Sequence, residues 1–347
     1  MRIVEKDVFR VALVGCGAIS GNHVAAVLAA GQTVAALCDV EEEKARTLAA
    51  ATGLLNVPIF TDFETMLENV RPDVLHVCTP HDLHAPMTVA ALKRGIHVLC
   101  EKPLAISEEQ LREILAAERE SRALLAVCHQ NRYEPNMRRL KALAEQDPPV
   151  GGYANVVWKR DARYYASGAW RGTLAHEGGG VLINQALHTL DLMQWVCGMP
   201  DRVTAHLSND FHRGVTEVED VAACTFESPD GASAGRWQFF ATTAAAVDFP
   251  IQIVLRLSSG KLVEAQNSQF TVDHRVLESG ADLAAKAGPG KWVWGDGHKA
   301  LIADFYAHVS KNSPFWLNGE EGAKVVRLIL AAARSHGQTV PIKEMDK

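Results

Sequence analysis

The sequence predicts a two-domain α/β protein, in which a doubly wound parallel sheet is followed by a large, mostly antiparallel sheet. In residues 10–128, short apolar runs alternate with helix-like segments, which is typical of a parallel sheet with helices on both faces. In residues 153–270, the stronger segments alternate in polarity or are rich in valine, threonine and aromatic residues, which favours antiparallel strands. We therefore predict one domain over residues 1–128 and a second over residues 129–347.

The composition limits the classes of protein that this chain can represent. Its 347 residues suffice for about two domains, and a hydrophobic content of 48% supports sizeable cores. The net charge of −6 argues against a broad nucleic-acid-binding surface. Because no apolar run approaches the ~18 residues of a membrane span, we expect no membrane partner. The seven cysteines include no C-x-x-C pair and no signal-peptide core is evident, so we expect reduced thiols and a cytoplasmic location.

Residues 10–39 have the pattern of a first β-α-β unit. An apolar run ends at Gly15, a helix-compatible segment follows Gly17, and a second apolar run ends at Asp39. The N–H groups at the start of such a helix can bind a pyrophosphate, and an acid after the second strand can accept hydrogen bonds from a ribose. The residues predicted to bind a dinucleotide here are Gly15, Gly17, Ala18, Ile19 and Asp39.

The glycines alone are weak evidence, because an ordinary β-α-β turn without a ligand would also contain them. Ser20 even replaces the third glycine of G-x-G-x-x-G, although serine is still small. The order of strand, turn, helix, strand and acid is what favours a nucleotide. Residues 40–42 offer no arginine for a 2′-phosphate, so we predict NAD rather than NADP as the cofactor.

Two later strands, predicted over residues 72–79 and 97–100, also end in polar motifs. Ligands of doubly wound sheets bind beyond the carboxyl ends of the strands. We therefore add the residues that follow these two strands to the predicted cofactor site, namely Thr79, Pro80, His84, Glu101 and Lys102.

Lys102 is the first candidate for a catalytic residue. An ammonium group at this edge of the sheet can stabilise the oxyanion of an alcohol that loses its proton. Pro103 fixes the turn after it, and the bond between these two residues is a candidate for a cis peptide. The alternative is a surface turn with a solvated lysine, which the tripeptide alone does not exclude.

The second candidate catalytic group lies on a helix predicted over residues 180–196, directly after three glycines. Asn184, His188 and Asp191 are spaced so that they share one face of that helix. His188 could accept the proton of a substrate hydroxyl, because an imidazole with a pKa near 6.5 suits that role. Asn184 can orient the substrate but carries no charge. The alternative is a packed helix whose histidine bonds to a neighbouring carbonyl.

A polar and aromatic segment precedes the glycines and is predicted to bind the substrate, together with Lys102, Asn184 and His188. Its candidate residues are Arg160, Tyr164, Trp170 and Arg171. Arginine and aromatic side chains suit a sugar, but they suit a subunit interface equally. His81 and His84 have i, i+3 spacing, but no carboxylate and cysteine set completes a metal site, so we predict no metal.

Together these stretches resemble the Gfo/Idh/MocA family (glucose-fructose oxidoreductase and inositol dehydrogenase-like). The resemblance rests on the glycine turn with Asp39, the Thr-Pro-His-x-x-His motif at 79–84, Glu-Lys-Pro at 101–103, GGGVLINQALHTLD at 178–191, and a late Gly-His…Asp-Phe at 297–305. It implies an N-terminal Rossmann domain and a C-terminal α+β domain with a large antiparallel sheet. It also implies that Lys102 is the catalytic lysine and His188 the acid/base. Asn184 departs from the aspartate that many members carry, which removes a charge beside His188.

The resemblance implies an enzyme, an NAD(P)-dependent dehydrogenase or reductase that acts on CH–OH groups. It would interconvert a secondary alcohol and a ketone on a sugar, a sugar derivative or an inositol-like polyol by hydride transfer. Two alternatives remain open at this point. One is an NAD-dependent glycosidase of the same family, and the other is a non-enzymatic regulator that senses a nucleotide or sugar. A sensor needs neither Lys102 nor His188, which argues against the regulator.

The second domain is also predicted to form the subunit contact of a homodimer or homotetramer. Trp237, Phe239 and Phe240 break the alternation of one strand, so both faces of the sheet carry apolar residues and need cover. In the resembled family this sheet is the usual contact between subunits.

Overall fold

The computed structural model describes residues 8–228, 235–266, 269–279 and 297–342. The chain divides into two compact units. The first contains Met1–Gln130 and Asp296–Ala323, and the second contains Asn131–Gly295 and Lys324–Lys347. The sequence analysis assigned every residue after 128 to the second domain, whereas this division places a late segment in the first unit. A segment so far along the chain gives no local signal of the sheet on which it packs.

The first unit is built on a six-stranded sheet in the order β3-β2-β1-β4-β5-β6, and each neighbouring pair of strands is parallel. The order reverses at β1, which is the topological switch point of a doubly wound sheet. The predicted fold class is therefore confirmed for this unit. The strands are β1 Arg10–Val14, β2 Thr33–Cys38, β3 Ile59–Phe60, β4 Val74–Val77, β5 His97–Cys100 and β6 Leu125–Val127.

Helices cover this sheet, and the central strands are buried. All four residues of β4 are buried, and only Arg10 of β1 is exposed, as expected for strands with helices on both faces. The helices are α1 Ser20–Ala29, α2 Glu42–Thr52, α3 Phe63–Val70, α4 His84–Lys93 and α5 Glu108–Glu120, with a late helix α11 over Gly297–Lys311. The late helix packs against α1.

The second unit is built on a nine-stranded sheet in the order β14-β13-β12-β11-β7-β10-β9-β8-β15. Its pairs are antiparallel except for β7 with β10, which confirms the predicted mostly antiparallel sheet. The strands are β7 Pro149–Val157, β8 Arg202–Ser208, β9 Val221–Glu227, β10 Arg236–Thr242, β11 Gln252–Leu257, β12 Leu262–Ala265, β13 Gln269–Val272, β14 Arg275–Ser279 and β15 Thr339–Pro341.

One face of this sheet is closed and the other carries exposed apolar side chains. In β10, Trp237 and Phe239 are buried whereas Phe240 is 42% exposed. Phe226 of β9 stacks on Trp237 with ring centroids 4.1 Å apart. The imperfect alternation of the sequence therefore reflects an apolar residue on the open face.

The second unit also contains the helices α6 Pro135–Gln146, α7 Ala162–Ala166, α8 Leu174–Glu177, α9 Val181–Asn184 and α10 Leu187–Cys197; a last helix, α12, covers Gly319–Ser335. Of the candidate site residues, Tyr164 lies on α7, Asn184 on α9 and His188 on α10. The helix predicted over residues 180–196 is interrupted after Asn184, where the N–H of Ala186 donates to the carbonyl of Val181 rather than to the residue four positions back. Within the described ranges, no helix is both long enough and apolar enough to cross a bilayer.

Candidate functional site

The glycine turn after β1 requires glycine at its first position. Gly15 has φ of +87°, and a Cβ there would lie 2.5 Å from the carbonyl carbon of Cys78 at the end of β4. Any side chain would therefore push β1 and β4 apart. A Cβ at Gly17 would meet nothing within 4 Å, so the backbone at this position borders open space. The turn has the form that the sequence analysis expected for a pyrophosphate site.

The helix that follows this turn begins without a side-chain cap. Ile19 precedes α1 and makes no side-chain cap hydrogen bond, while Ala18 is exposed. Ser20 is buried, and its hydroxyl donates to the carbonyl of Gly17 at 2.5 Å. Serine thus substitutes for the third glycine by bonding back to the turn. The first helical N–H groups have no capping side chain, which leaves them suited to an anion.

Asp39 links the end of β2 to the glycine turn. Its Oδ2 accepts the N–H of Cys16 at 2.8 Å, and its Oδ1 accepts the N–H of Glu41 at 2.9 Å. The side chain is partly exposed, and each carboxylate oxygen has a lone pair beyond these bonds. Asp39 is therefore fixed beside the turn in a position to accept further hydrogen bonds.

The ends of β4 and β5 are joined by one buried histidine. His84 is 1% exposed, with Nε2 2.9 Å from the carbonyl oxygen of Thr79 and Nδ1 2.6 Å from that of Pro103. Burial lowers the pKa of His84, although the two carbonyl oxygens oppose that shift. The Thr79–Pro80 loop and the Glu-Lys-Pro loop are thereby held together. The bond between Lys102 and Pro103 is cis.

Glu101 is a buried carboxylate surrounded by hydrogen-bond donors. Its Oε1 accepts from Nε2 of His23 at 2.9 Å and of His298 at 3.3 Å, and its Oε2 accepts the backbone N–H of Lys102 at 3.1 Å. Desolvation opposes the negative charge, but the bonds from the two histidines outweigh it and hold the pKa of Glu101 well below its ordinary value. A fixed anion therefore lies directly before Lys102 in the chain and bonds to its backbone.

Two more groups, His76 and Tyr306, extend this network in one direction. Nδ1 of His23 lies 2.9 Å from Nδ1 of His76, and Nε2 of His76 lies 2.8 Å from the hydroxyl of Tyr306. Burial lowers the pKa of both histidines, so each ring carries one proton. Because His23 donates to Glu101, its Nδ1 must accept from His76, and His76 must accept from Tyr306. The chain of donors runs from Tyr306 to the carboxylate.

The same cluster contains ligand types that metals favour. Donor atoms of His23, Glu101, Cys128 and His298 lie within 4.8 Å of one another, and all four residues are buried. The hydrogen bonds described above already account for the nitrogens of His23, and burial raises the pKa of the Cys128 thiol well above its ordinary value. We therefore describe the cluster as the hydrogen-bonded setting of Glu101.

In the second unit the predicted substrate residues meet at the hydroxyl of Tyr164. Arg171 donates to it at 2.5 Å, Gln185 at 3.0 Å and Asn184 at 3.1 Å. The guanidinium of Arg171 also lies 4.5 Å from the ring centroids of Tyr164 and Trp170. The structure thus brings Tyr164, Trp170, Arg171 and Asn184 into one cluster, whereas the sequence analysis had placed them in two neighbouring segments.

Arg160 also lies near the ring of Tyr164. It is 8% exposed, pairs with Asp248 at 3.1 Å, and its guanidinium lies 5.2 Å from the Tyr164 ring centroid and 5.0 Å from that of Trp158. Its charge is thus partly neutralised within the unit, unlike a cation that faces a ligand.

Two glutamates support the glycine-rich start of α9. Glu177 is buried and accepts from Asn184 and from the N–H of Gly172. Glu219 accepts the N–H groups of Gly180 at 2.8 Å and Leu182 at 3.2 Å. Desolvation raises the pKa of Glu219 to about 7 against these two bonds. A Cβ at Gly180 would overlap the carbonyl oxygen of Glu219, which explains glycine at that position.

His188 lies in the first turn of α10 and is partly exposed, whereas Asp191 is buried. Arg132 holds Asp191 in a bidentate pair, with Nε–Oδ2 at 2.8 Å and Nη2–Oδ1 at 2.6 Å. Asn184, His188 and Asp191 were predicted to share one helix face. Of these three, Asp191 is engaged in a structural ion pair with Arg132.

Comparison with known proteins identifies the family of this chain. A family model for the NAD-binding Rossmann fold of an oxidoreductase family matches residues 9–129, and a model for the GFO/IDH/MocA C-terminal domain matches residues 149–263.

The chain belongs to the Gfo/Idh/MocA family.

The predicted resemblance and the predicted NAD-binding domain are thereby confirmed. D-glucoside 3-dehydrogenase of Escherichia coli is 32% identical to this chain over 57% of each protein, so the match spans little more than half the length of that relative. The 1,5-anhydro-D-fructose reductase of Ensifer adhaerens is 25% identical over 95% of this chain and 98% of the relative. The WlbA dehydrogenase of Bordetella pertussis, solved with NADH and UDP-GlcNAcA, has a TM-score of 0.82 at 26% identity and covers 97% of this chain and 99% of its own.

Four residues of the candidate site were not assigned in the sequence analysis. His23, Glu177 and Gln185 bond to the predicted site residues Glu101, Asn184 and Tyr164, and Glu219 bonds to the glycine-rich start of α9. His298 was noted only as part of a motif, without a role. The position of Glu177 directly before the three glycines was the one local signal available.

Proposed function

We propose that this chain is an NAD-dependent dehydrogenase or reductase that interconverts a secondary alcohol and a ketone on a sugar, a sugar derivative or a polyol. Hydride passes between the substrate carbon and the nicotinamide. The roles of individual residues given below are part of the proposal.

The single observation that carries this proposal is the setting of Lys102. It follows β5 at the carboxyl edge of the Rossmann sheet, and its backbone is bonded to a carboxylate that two histidines hold in the charged form. A turn built so rigidly supports a side chain with a positional task. We assign Lys102 to stabilising the oxyanion that forms as the alcohol is oxidised.

The residues of the second unit complete the proposed chemistry. His188 removes or returns the hydroxyl proton, and Asn184 positions the substrate. Tyr164, Arg171 and Gln185 support Asn184, because all of them bond at the same phenol oxygen. Arg160 and Trp170 complete the substrate-binding set.

The cofactor is bound by the glycine turn, by Asp39 and by the loops after β4 and β5. We propose that Gly15, Gly17, Ala18 and Ile19 approach the pyrophosphate and that Asp39 selects NAD by bonding to the ribose. Thr79, Pro80, His84, Glu101 and Lys102 line the nicotinamide side.

The test is a panel of sugars, sugar acids, polyols and inositols with NAD and with NADP, followed by the absorbance of the reduced nicotinamide. We expect at least one compound to reduce NAD with multiple turnovers. Release of a free sugar from a glycoside without net NADH formation would instead support the glycosidase, and NADH binding with no turnover on any panel member would count against both enzymes.

We also propose that the chain forms a homodimer or homotetramer through the open face of its second sheet. Tyr153 and Phe240 are both 42% exposed on the neighbouring strands β7 and β10. Light scattering at micromolar concentration is expected to give at least twice the 37.7 kDa chain mass, and Phe240→Glu should shift it to the monomer. A wild-type monomer would contradict this assembly.

The proposed compartment is the cytoplasm. All seven cysteines are buried free thiols, as in a protein kept under reducing conditions. Fractionation of cells that express the chain would test this location.

A further inference from the structure

Arg171 is a cation for which the described part of the chain provides no acidic partner. Among residues that the structure describes, its guanidinium makes one hydrogen bond, to the Tyr164 hydroxyl, and no ion pair. The side chain is partly buried and lies against the rings of Tyr164 and Trp170, each 4.5 Å from the guanidinium carbon. Arg160, which also lies near the Tyr164 ring, pairs with Asp248. The two arginines therefore differ in that only one is neutralised.

The acids of the neighbouring segments bond to other groups. These acids are Asp161, which caps α7, Glu177, which accepts from Gly172 and Asn184, Glu217, which accepts from Leu174, and Asp248, which pairs with Arg160. The positive charge of Arg171 therefore has no carboxylate within salt-bridge distance in the described part of the chain.

The two rings and the phenol oxygen leave most of the donors of Arg171 unused. A guanidinium has five N–H groups, and stacking on aromatic rings fixes its plane without consuming them. A planar cation with free donors matches a carboxylate or phosphate, which can accept two parallel hydrogen bonds. The same phenol oxygen accepts from Asn184, so the cation is tied to the residue that we assign to substrate positioning.

We propose that Arg171 binds an anionic group of the substrate, so that the sugar is an acidic one that carries a carboxylate or a phosphate. This inference rests on the proposed function of the same site. It narrows the substrate class from sugars and polyols in general to sugar acids and sugar phosphates. Tyr164 and Trp170 hold the guanidinium in the plane that the anion meets.

The experiment compares each neutral sugar with its uronic acid and its phosphate, under NAD reduction, in wild type and three variants. Arg171→Gln removes the charge, Arg171→Lys keeps it without the planar fork, and Arg163→Gln is the matched control. Arg163 is an exposed arginine on α7 with no aromatic contact among the described residues. We expect kcat/KM of the wild type to favour one acidic sugar over its neutral parent by at least about 10-fold.

In Arg171→Gln that preference should fall by roughly 10- to 100-fold, mainly through KM, because a charge-assisted bidentate contact is lost. Arg171→Lys should recover part of it, and Arg163→Gln should match the wild type. The uronic acid and the phosphate arms distinguish the two anions. Equal losses for neutral and acidic sugars in Arg171→Gln, with none recovered by lysine, would overturn the proposal.

Calorimetric titration separates this proposal from the proposed function. Wild type that oxidises only neutral sugars would refute the anion site and leave the dehydrogenase intact. If no sugar reduces NAD, the titration of uronic acids and sugar phosphates into the NADH-bound protein still decides the point. Binding that is lost in Arg171→Gln and kept in Arg163→Gln supports the anion site, and the absence of any binding contradicts it.

Discussion

Glu101 and Glu219 are both desolvated carboxylates beside proposed site residues, yet their pKa values shift in opposite directions. Glu101 accepts from two histidine side chains and from a backbone N–H, and its pKa lies well below the ordinary value. Glu219 accepts the backbone N–H groups of Gly180 and Leu182 and lies near Glu177, and desolvation raises its pKa to about 7. The number and kind of donors, rather than desolvation alone, decide which carboxylate keeps its charge.

The difference assigns separate tasks to the two units. In the first unit, the lowered pKa of Glu101 favours its negative form beside the backbone of Lys102. In the second unit, Glu219 gains or loses its proton near neutrality at the start of the helix that carries Asn184. We therefore expect the first carboxylate to keep its charge and the second to respond to pH.

The largest expected effect tests whether the two units share one reaction. Lys102→Ala and His188→Ala should each lower kcat by roughly 10²- to 10⁴-fold, because each removes a group that acts on the proton or the oxyanion of the substrate hydroxyl. Fluorescence titration should show unchanged NADH binding in His188→Ala. Near-native turnover of His188→Ala on the true substrate would show that its proposed role is wrong.

The next largest expected effect is the loss of stability and turnover on replacing Glu101. Glu101→Gln puts an amide NH₂ against histidine donors, so we expect a loss of about 2–3 kcal/mol in the free energy of unfolding. Turnover should also fall, because the uncharged amide no longer fixes a negative charge beside the backbone of Lys102. Urea denaturation measures the first effect, and Glu219→Gln serves as the matched control. If the two variants lose stability equally at every pH, the comparison between the carboxylates fails.

The raised pKa of Glu219 predicts the direction in which the free energy of unfolding changes with pH. The folded chain holds the proton of Glu219 up to about pH 7, whereas an unfolded glutamate releases it near its ordinary value of 4.5. Protonation therefore favours the folded state at low pH, and this stabilisation is lost as the pH rises from 4.5 to about 7. Relative to wild type, Glu219→Gln should gain up to about 3 kcal/mol over that interval. A difference that does not vary with pH would contradict the assignment.

The smallest expected effect is a change in the preference for NADH over NADPH on replacing Asp39 in the first unit. Asp39→Ser removes a carboxylate that would repel a 2′-phosphate, so the preference for NADH over NADPH should fall by about 10-fold. Fluorescence titration with both nucleotides measures it. Tighter binding of NADPH than of NADH by the wild type would reverse the prediction.

Much of the fold and of the cofactor side could be predicted from the sequence, because those signals are local. Gly15, Asp39 and Lys102 each follow an apolar run, and the end of a buried strand is visible in a single segment. The histidines that bond to Glu101 could not be predicted in the same way. His23 and His298 lie 78 and 197 positions from Glu101, and only the packing of two helices on the sheet brings them together.

The second unit shows the same limit. The sequence placed Arg171, Tyr164 and Asn184 in neighbouring segments, but not at one oxygen atom. The interruption of the helix after Asn184 was also missed, since residues 180–196 contain no proline and keep an apolar periodicity. The N–H of Ala186 donates to the carbonyl of Val181, five positions back, and this interrupts the helix. No residue type in the segment indicates the interruption.

The most direct test of the central claim follows the hydride itself. A panel compound that reduces NAD is prepared with deuterium on the carbon to be oxidised, and the reduced nicotinamide is analysed by mass spectrometry. Direct transfer predicts one deuterium in the NADH for each molecule of ketone formed, in wild type and in the residual turnover of His188→Ala alike. Ketone formation with unlabelled NADH would contradict the account.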